Sequence, residues 1–284
     1  MSLLLGAHMS IAGGLDRAFD RGEEVGCTAM QIFTANASRW HGKPVSPEAA
    51  EKFSSRWKSS TIGPVFAHDS YLINLASQDP KLLEKSKRAF LEELRRCASL
   101  GLAGVVMHPG AHLGAGENIG LDRVRSAFEE ILAVSPREVM ILIENTAGQG
   151  TYLGGPFNHI AALLEGFPRE RFGVCFDTCH ACAAGYDLSS ASGYRATMDD
   201  FDRLIGFDRL QLFHVNDSLK ECGSRVDRHA HIGEGAIGLA GFRNLMRDDR
   251  LAHIPKILET PKGEGGTMDR KNLELLKDLA EGTA

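Results

Sequence analysis

The stretch GVCFDTCH at residues 173–180 joins a short apolar run to an aspartate and, three residues later, a histidine. Runs of four to eight apolar residues between turn residues are typical of buried strands. Seven more runs of this kind occur along the chain: Leu3–His8, Met30–Thr34, Pro64–His68, Gly104–His108, Val139–Glu144, Leu210–His214 and Lys256–Glu259. Together with Gly173–Asp177, they predict eight strands.

Stretches with helical periodicity lie between these runs. They include Gly14–Gly26, Pro47–Lys58, Pro80–Leu100, Asp122–Ala133 and Leu239–Arg247. Pro80 suits the first position of its helix and Gly101 the C-terminal cap. Apolar strands that alternate with amphipathic helices indicate parallel βαβ units. We therefore predict an α/β fold, a (β/α)8 TIM barrel, as a single domain over residues 1–284.

Composition and charge limit the classes of function. No segment approaches the roughly 20 apolar residues of a membrane span, and the N-terminus lacks the basic region of a signal peptide. These features predict a cytoplasmic protein that makes no membrane contact. The formal net charge of −5 argues against a non-specific DNA-binding protein, because such proteins are normally basic.

Most of the predicted strands end on a residue that can bind a metal ion. These residues are His8, His68, His108, Glu144, Asp177, His214 and Glu259. Taken singly, a histidine at such a place is more often a hydrogen-bonded rim residue, and a carboxylate more often forms a salt bridge. In a TIM barrel, however, the C-terminal ends of the strands meet at the active site. Carboxylates gathered there would repel each other unless cations were bound between them, so the pattern favours a metal centre.

Two local spacings add to this set. Asp177 and His180 are three residues apart, about one helical turn, so both can face one cavity. Asp227 and His229 are two residues apart and point the same way in an extended segment, although a solvated polar loop is the commoner interpretation of such a pair. The candidate ligands are His68, His108, His180, His214, His229, Glu144, Asp177, Asp227 and Glu259. Nitrogen and oxygen ligands in this number fit two or three ions of zinc or manganese.

The cysteines offer a competing interpretation. Cys175, Cys179 and Cys182 have the C-x3-C-x2-C spacing of radical-SAM iron–sulfur enzymes. Cys175, however, lies inside a predicted strand, and that interpretation leaves the histidines and carboxylates unexplained. Free cysteine is among the most often buried residue types. We therefore predict that all three are buried and reduced, with no disulfide framework.

Longer motifs resemble those of one known family. They are GAHMSIAGG (6–14), HDSYLINLAS (68–77), HPGAHLG (108–114), IENTAGQG (143–150), VCFDTCHACAAGYDL (174–188), HVNDS (214–218), GSRVDRH (223–229), GEG (233–235) and ILETP (257–261). In these motifs the chain resembles the endonuclease IV family over nearly its whole length. The resemblance implies a TIM barrel that uses a trinuclear zinc cluster, with manganese as an option at one site. It also implies hydrolysis of double-stranded DNA on the 5′ side of abasic sites, giving a 3′-hydroxyl and a 5′-deoxyribose phosphate.

The same resemblance implies roles for individual residues. It assigns His68 and His108 as ligands of the first ion, and Glu144 as the ligand that bridges the first and second ions. The remaining ligands of the second ion would be Asp177, His214 and Glu259. The third ion would be bound by His180, Asp227 and His229. It places His8 beside the cluster, and we place His112 and His231 at the rim. We take Glu144 and Glu259 as the catalytic carboxylates that orient the attacking water.

Recognition of DNA is expected from residues near the cluster. Tyr71 and Leu72 match the family's lesion-recognition loop, although the bare sequence would favour packing of both beneath a loop. Arg39 and Arg228 are expected at the DNA backbone, together with Lys43, Lys220 and Arg225. The chain departs from the family at Ser38, where better-known members have an arginine, so Arg39 either substitutes for that arginine or the contact is weaker.

Two other functions remain open at this point. A sugar isomerase or epimerase would share the barrel and the metal ligands, but would need only one or two ions and no Tyr71–Leu72 loop. A metal-loaded DNA-binding module would have no use for ions that activate water. A monomer is the expected form.

Overall fold

A computed structural model describes residues 3–283 of the chain. Its barrel strands are β1 (Leu5–Met9), β2 (Ala29–Phe33), β3 (Val65–His68), β4 (Gly104–Met107), β5 (Met140–Glu144), β6 (Phe172–Asp177), β7 (Leu210–His214) and β10 (Lys256–Leu258). All pairs are parallel, and the strands close in the order β1-β10-β7-β6-β5-β4-β3-β2. The predicted TIM barrel is confirmed, and each predicted run coincides with a strand to within two residues at either end.

Helices follow the strands around the outside of the barrel. They are α1 (Arg17–Val25), α2 (Pro47–Lys58), α3 (Pro80–Leu100), α4 (Glu117–Leu132), α5 (Phe157–Leu164), α6 (Thr178–Ala184), α7 (Ala191–Leu204), α8 (Gly238–Met246) and α9 (Thr267–Glu281). Helices α2 and α3 have the predicted bounds. Helix α4 begins at Glu117, before the predicted Asp122. The prediction missed the first turn because that turn is largely polar and lacks the apolar periodicity on which the prediction rested. Within residues 3–283, none of the helices combines the length and apolarity needed to cross a lipid bilayer.

Helix α3 shows how local sequence fixes its ends. The Asp79 side chain accepts a hydrogen bond from the backbone N–H of Lys81, and Pro80 occupies the first turn, where its missing N–H costs nothing. Gly101 ends the helix with φ of 69°, a left-handed conformation that glycine adopts without steric cost. The predicted roles of Pro80 and Gly101 are thus confirmed.

A two-stranded antiparallel ribbon, β8 (Asp217–Ser218) and β9 (His229–Ala230), lies between β7 and α8. The sequence pattern indicated only a polar loop here. The buried Asp217 carboxylate organises the segment after β9, since it accepts hydrogen bonds of 2.9–3.2 Å from the backbone N–H groups of Gly233, Gly235, Ile237 and Gly238. The ribbon therefore has a fixed structure, and it holds the backbone of His229 in place.

The interior of the barrel is built in two layers. The lower layer, here called the apolar floor, consists of Ala29, Phe66, Val106, Leu142, Cys175, Leu212 and Ile257. Side chains alternate along a strand, so the residue two positions further on faces the same interior. Those positions hold Gln31, His68, His108, Glu144, Asp177, His214 and Glu259. A polar layer thus rests directly on the apolar floor.

Lys256 is the first residue of β10 and is buried. It lies at the end of the strand away from Glu259. Its Nζ donates hydrogen bonds of 2.9 Å to the carbonyl oxygens of Leu251 and Ile254. Burial lowers the pKa of Lys256 from 10.5 to about 8, because the charged form loses its hydration. A lysine with a lowered pKa in the folded state destabilises the fold below that pKa, and the cost disappears as pH rises to the pKa of the unfolded chain.

We therefore expect the free energy of unfolding to rise by about 3 kcal/mol between pH 8 and 10.5 through Lys256 alone. The variant Lys256→Met should lack this rise, whereas Lys52→Met, on the exposed side of α2, should keep it. Urea unfolding of the three proteins at several pH values measures the slopes. Parallel curves for wild type and Lys256→Met would contradict the expectation.

Candidate metal centre

The nine candidate ligands converge at one end of the barrel. His68, Glu144, Asp177 and His214 are the last residues of β3, β5, β6 and β7. His108 and Glu259 directly follow β4 and β10. His180 lies in the first turn of α6, and Asp227 and His229 lie at the ribbon. The fold therefore gathers side chains that are up to 191 positions apart in sequence, from His68 to Glu259.

The nine residues form three groups, two of which share a residue. Site 1 comprises His68, His108 and Glu144; site 2 comprises Glu144, Asp177, His214 and Glu259; site 3 comprises His180, Asp227 and His229. Within each site, the candidate ligand atoms all lie within 4.8 Å of one another. Glu144 belongs to both of the first two sites.

Glu144 is fully buried at the centre of these groups. Its Oε2 lies 3.1 Å from His68 Nε2 and 3.0 Å from His108 Nε2. Its Oε1 lies 2.9 Å from His214 Nδ1 and 3.2 Å from His180 Nδ1. One carboxylate thus lies within 3.2 Å of an imidazole from each of the three sites, a central position compatible with the predicted bridge between the first two.

Backbone carbonyls orient three of the imidazoles. The Nδ1–O distances are 3.0 Å for His68 and Asp69, 3.0 Å for His180 and Asn145, and 3.3 Å for His229 and Glu259. A carbonyl can only accept, so each Nδ1 carries a proton and each Nε2 faces the site, where a cation could replace any proton that it carries. Ligand histidines are commonly held in this way by the groups behind them.

The electrostatics of the site depend on pairing between carboxylates and imidazoles. Burial would raise the pKa of Glu144, but His214 and His108 hold it well below its usual value. Burial would also lower the pKa of His68, yet the hydrogen bond with Glu144 raises it to about 10. The carboxylate is therefore ionised at neutral pH, and the imidazole protons compensate its charge.

One atom of site 3 tests whether a cation fits. Within residues 3–283, the buried Nε2 of His229 has no hydrogen-bond partner. It lies 3.3 Å from Asp227 Oδ1 and 3.8 Å from Asp177 Oδ2. A divalent ion between an unpartnered imidazole nitrogen and two carboxylates would satisfy all three groups. The nitrogen and oxygen donors of the three sites suit zinc or manganese.

The cysteine prediction is confirmed. Cys175, Cys179 and Cys182 are all buried free thiols, and Cys175 belongs to the apolar floor. Cys175 and Cys179 approach sites 2 and 3, but burial raises the pKa of both thiols to about 12. Both thiols are therefore protonated at neutral pH when no cation is bound, and the histidines and carboxylates form the larger donor set.

The remaining histidines lie outside the three sites. His8 Nδ1 is 3.3 Å from Glu259 Oε1, which places the residue beside the ligands as expected. His112 accepts a hydrogen bond from the backbone N–H of Gly116, and His231 contacts Asn272. Both are half-buried, as the predicted rim position implies.

Two buried amides that the sequence interpretation missed hold the carboxylates. Asn216 donates to Asp177 Oδ2 at 2.7 Å and accepts from the backbone N–H of Glu259 at 2.8 Å. Gln31 donates to Glu259 Oε1 at 2.7 Å. The position of Gln31 could have been predicted from the sequence. It follows Ala29 by two positions in a strand, so its side chain faces the polar layer.

Two neighbouring cavities, which share several lining residues, open above the ligands. One, of about 510 Å³, is lined by Tyr71, Leu72, His68, His108, His180 and Asp227 among others. The other, of about 440 Å³, is lined by Arg228, Glu259, His229 and His8 among others. The Tyr71 side chain is 69% exposed and its ring meets Phe33 edge-on at 5.5 Å. Tyr71 therefore stands at the opening and is not packed beneath a loop.

The loop that contains Ser38 and Arg39 lies next to Tyr71. Ser70 joins the two segments, since its Oγ donates a hydrogen bond of 2.6 Å to the carbonyl oxygen of Ala37. Arg39 is exposed and lines a small recess with Trp40 rather than either large cavity. Its guanidinium is therefore available to solvent near the opening, but it does not contact the candidate ligands.

Comparison with known proteins gives a consistent result. A family described as "Xylose isomerase-like TIM barrel" matches residues 19–279. The chain is 51% identical over 282 residues to a protein of Geobacter sp. (strain M21) described as "Probable endonuclease 4", covering 98% of this chain and 99% of that protein. The crystal structure of endonuclease IV from Thermus thermophilus superimposes with a TM-score of 0.87 at 35% identity, covering 98% of this chain and 99% of that one.

The barrel itself is shared more widely. A D-tagatose 3-epimerase-like protein superimposes with a TM-score of 0.73 at 19% identity, over 98% of this chain and 100% of that one. Identity at that level reflects the fold alone and carries no information on the reaction.

Proposed function

Because this chain belongs to the endonuclease IV family, we propose that it is a metal-dependent hydrolase that cuts double-stranded DNA on the 5′ side of abasic sites. The products would be a 3′-hydroxyl and a 5′-deoxyribose phosphate. The observation that best supports the proposal is the arrangement of three ligand groups around one buried carboxylate, Glu144. A sugar isomerase would need fewer ligands.

Three zinc ions would occupy the sites, one in each, with manganese as an alternative in one of them. Four carboxylates carry a charge of −4, and three divalent ions would add +6. The loaded site would then carry about +2, which suits a phosphodiester despite the net charge of −5 on the whole chain. Bound ions would supply acidity to a water molecule and positive charge near the departing oxygen.

The two catalytic carboxylates would have different roles. Glu144 is fully buried and surrounded by imidazoles, so it would position ligands of all three sites. The Glu259 side chain is partly exposed and lines the cavity of about 440 Å³. Burial opposes ionisation of Glu259, but His214 and His8 lower its pKa well below the usual range. Glu259 is therefore the ionised carboxylate that could orient the attacking water.

Lesion recognition would use the residues at the opening. Tyr71 and Leu72 would enter the DNA at the lesion, and the abasic nucleotide would rotate out toward the ligands. Extrusion costs least where base pairing is already lost, so an intact nucleotide is disfavoured. Arg228 lines the cavity beside Glu259 and would contact phosphate, while Arg39 would contact the backbone further out.

A nicking assay tests the proposal. The protein, loaded with zinc, is incubated with an end-labelled duplex that contains one abasic site, and the products are separated on a denaturing gel. We expect a single cut on the 5′ side of the lesion and none in the matched intact duplex. Turnover of a ketose without nicking would favour the epimerase alternative, and a mobility shift without nicking would favour a binding module.

Replacement of Tyr71 by alanine should weaken binding to abasic DNA with little effect on folding. The side chain is exposed and its stability contribution is small, whereas stacking of an aromatic ring on a base is worth about 1–3 kcal/mol. We expect Kd for the abasic duplex to rise roughly 5- to 150-fold, measured at fixed salt by fluorescence anisotropy.

Tyr152→Ala is the matched control, because Tyr152 is another exposed tyrosine on the wall of the same cavity. Its Kd should change much less. Equal losses of affinity for the two variants would mean that Tyr71 has no special place in lesion recognition.

A further inference from the structure

Gln31 is a fully buried amide at the base of site 2. Its Oε1 lies 2.8 Å from His214 Nε2. Its Nε2 lies 2.7 Å from Glu259 Oε1 and 3.0 Å from His8 Nδ1. The side chain comes from β2, a barrel strand that contributes none of the nine candidate ligands.

The hydrogen-bonding chemistry fixes the orientation of this amide. An ionised carboxylate only accepts hydrogen bonds, so the NH2 group of Gln31 must face Glu259. The amide oxygen must then face His214 and accept its Nε2–H. With a proton fixed on Nε2, Nδ1 is the nitrogen of His214 that can bind a cation, and it lies 2.9 Å from Glu144 Oε1 and 3.2 Å from Glu259 Oε2. That is the face on which site 2 lies.

His214 differs in this respect from His68, His180 and His229. Those three are oriented by backbone carbonyls, which no substitution of a side chain removes. His214 depends on a side chain instead, and the same side chain also holds the second ligand of site 2, Glu259. A single replaceable residue therefore controls two ligands of one site.

We propose that Gln31 is a positioning residue for site 2, which selects the Nδ1-ligating form of His214 and holds the Glu259 carboxylate against it. The inference rests on the proposed function only in requiring that the three sites bind metal. Support of this kind behind the ligands typically changes metal retention or activity about 10- to 100-fold.

Two variants separate the two contacts. Gln31→Met has a similar volume and loses both hydrogen bonds. Gln31→Glu keeps an acceptor for His214 Nε2–H but places a negative charge 2.7 Å from Glu259, where the amide nitrogen now lies. Gln211→Met is the control, because Gln211 lies on β7 near the other end of the barrel, where its amide contacts the carbonyl oxygen of Asp208.

The first measurement is zinc retention by the holoenzyme during titration with a chelator. We expect Gln31→Met and Gln31→Glu to lose their most weakly held zinc at roughly 10- to 100-fold lower free chelator than wild type. Gln211→Met should behave as wild type. Equal retention by wild type and Gln31→Glu would overturn the inference, even if Gln31→Met did not fold.

The second measurement reports on His214 directly. In 15N NMR spectra of the zinc-loaded protein, the hydrogen-bonded Nε2–H of His214 should be present in wild type and in Gln31→Glu. It should exchange or shift in Gln31→Met. An unchanged signal in Gln31→Met, with unchanged zinc retention, would mean that Gln31 only fills space.

Failure of the broader proposal would look different. A wild-type protein that binds no zinc would contradict the proposed function itself. A wild type that binds zinc and cuts abasic DNA, with Gln31 variants that retain zinc equally well, would contradict only the role of Gln31.

Discussion

Replacement of Glu144 by glutamine is expected to reduce cleavage of abasic DNA by far more than about 100-fold. A residue that only supports a ligand costs up to about that factor, and Glu144 touches imidazoles of all three sites. Glutamine has nearly the same shape but no charge, and its NH2 group cannot accept a proton or bind a cation. Single-turnover rates on an end-labelled duplex measure the effect.

Binding of abasic DNA by Glu144→Gln should be largely retained, because Tyr71, Leu72 and Arg228 are unchanged. Anisotropy at fixed salt measures that separately from cleavage. Glu129→Gln, an exposed residue of α4, is the matched control and should cut at the wild-type rate. Cleavage by Glu144→Gln at a rate near wild type would remove Glu144 from the mechanism.

Removal of metal by a chelator is expected to abolish cleavage and lower the melting temperature by roughly 8–16 °C. A ligand present at about 1,000 times its Kd stabilises the folded state by about 4 kcal/mol, and each kcal/mol shifts Tm by about 2–4 °C in a domain of comparable size. Without cations, the buried carboxylates are balanced only by protons on the histidines. The raised pKa values of His68 and His180 show that these protons are held firmly.

Protons and metal therefore compete for the same atoms. Stripping should become easier as pH falls and imidazoles take up protons, and zinc should restore both activity and Tm. Differential scanning calorimetry and zinc analysis of the same samples measure the two effects. Chelator saturated beforehand with zinc is the control. Full activity in protein that retains less than one ion per chain would contradict the expectation.

The barrel was predictable because its signals are local. Each strand is a short apolar run with a polar or glycine boundary. The two helices whose bounds were predicted correctly have side-chain N-caps, Ser46 for α2 and Asp79 for α3. The bounds of α4 were less accessible, since its polar first turn resembles the preceding loop. The β8–β9 ribbon was missed because two residues per strand carry no periodicity.

The candidate ligands were predictable for a different reason. Parallel strands end at the same side of a barrel, so residue type at the strand ends is enough to predict that they meet. Partner choice within the site was not predictable in this way. Whether a histidine is oriented by a carbonyl, as His180 is, or by an amide, as His214 is, depends on distances of a few tenths of an ångström.

The apolar floor lies directly beneath the ligands, where Phe66, Leu142 and Leu212 fill the barrel. The two large cavities lie on the other side of the ligands, toward the strand ends. In the proposed enzyme, DNA bound over these cavities would cover the route by which ions reach the ligands. Ion loading would therefore precede DNA binding, and successive catalytic cycles would use the same ions.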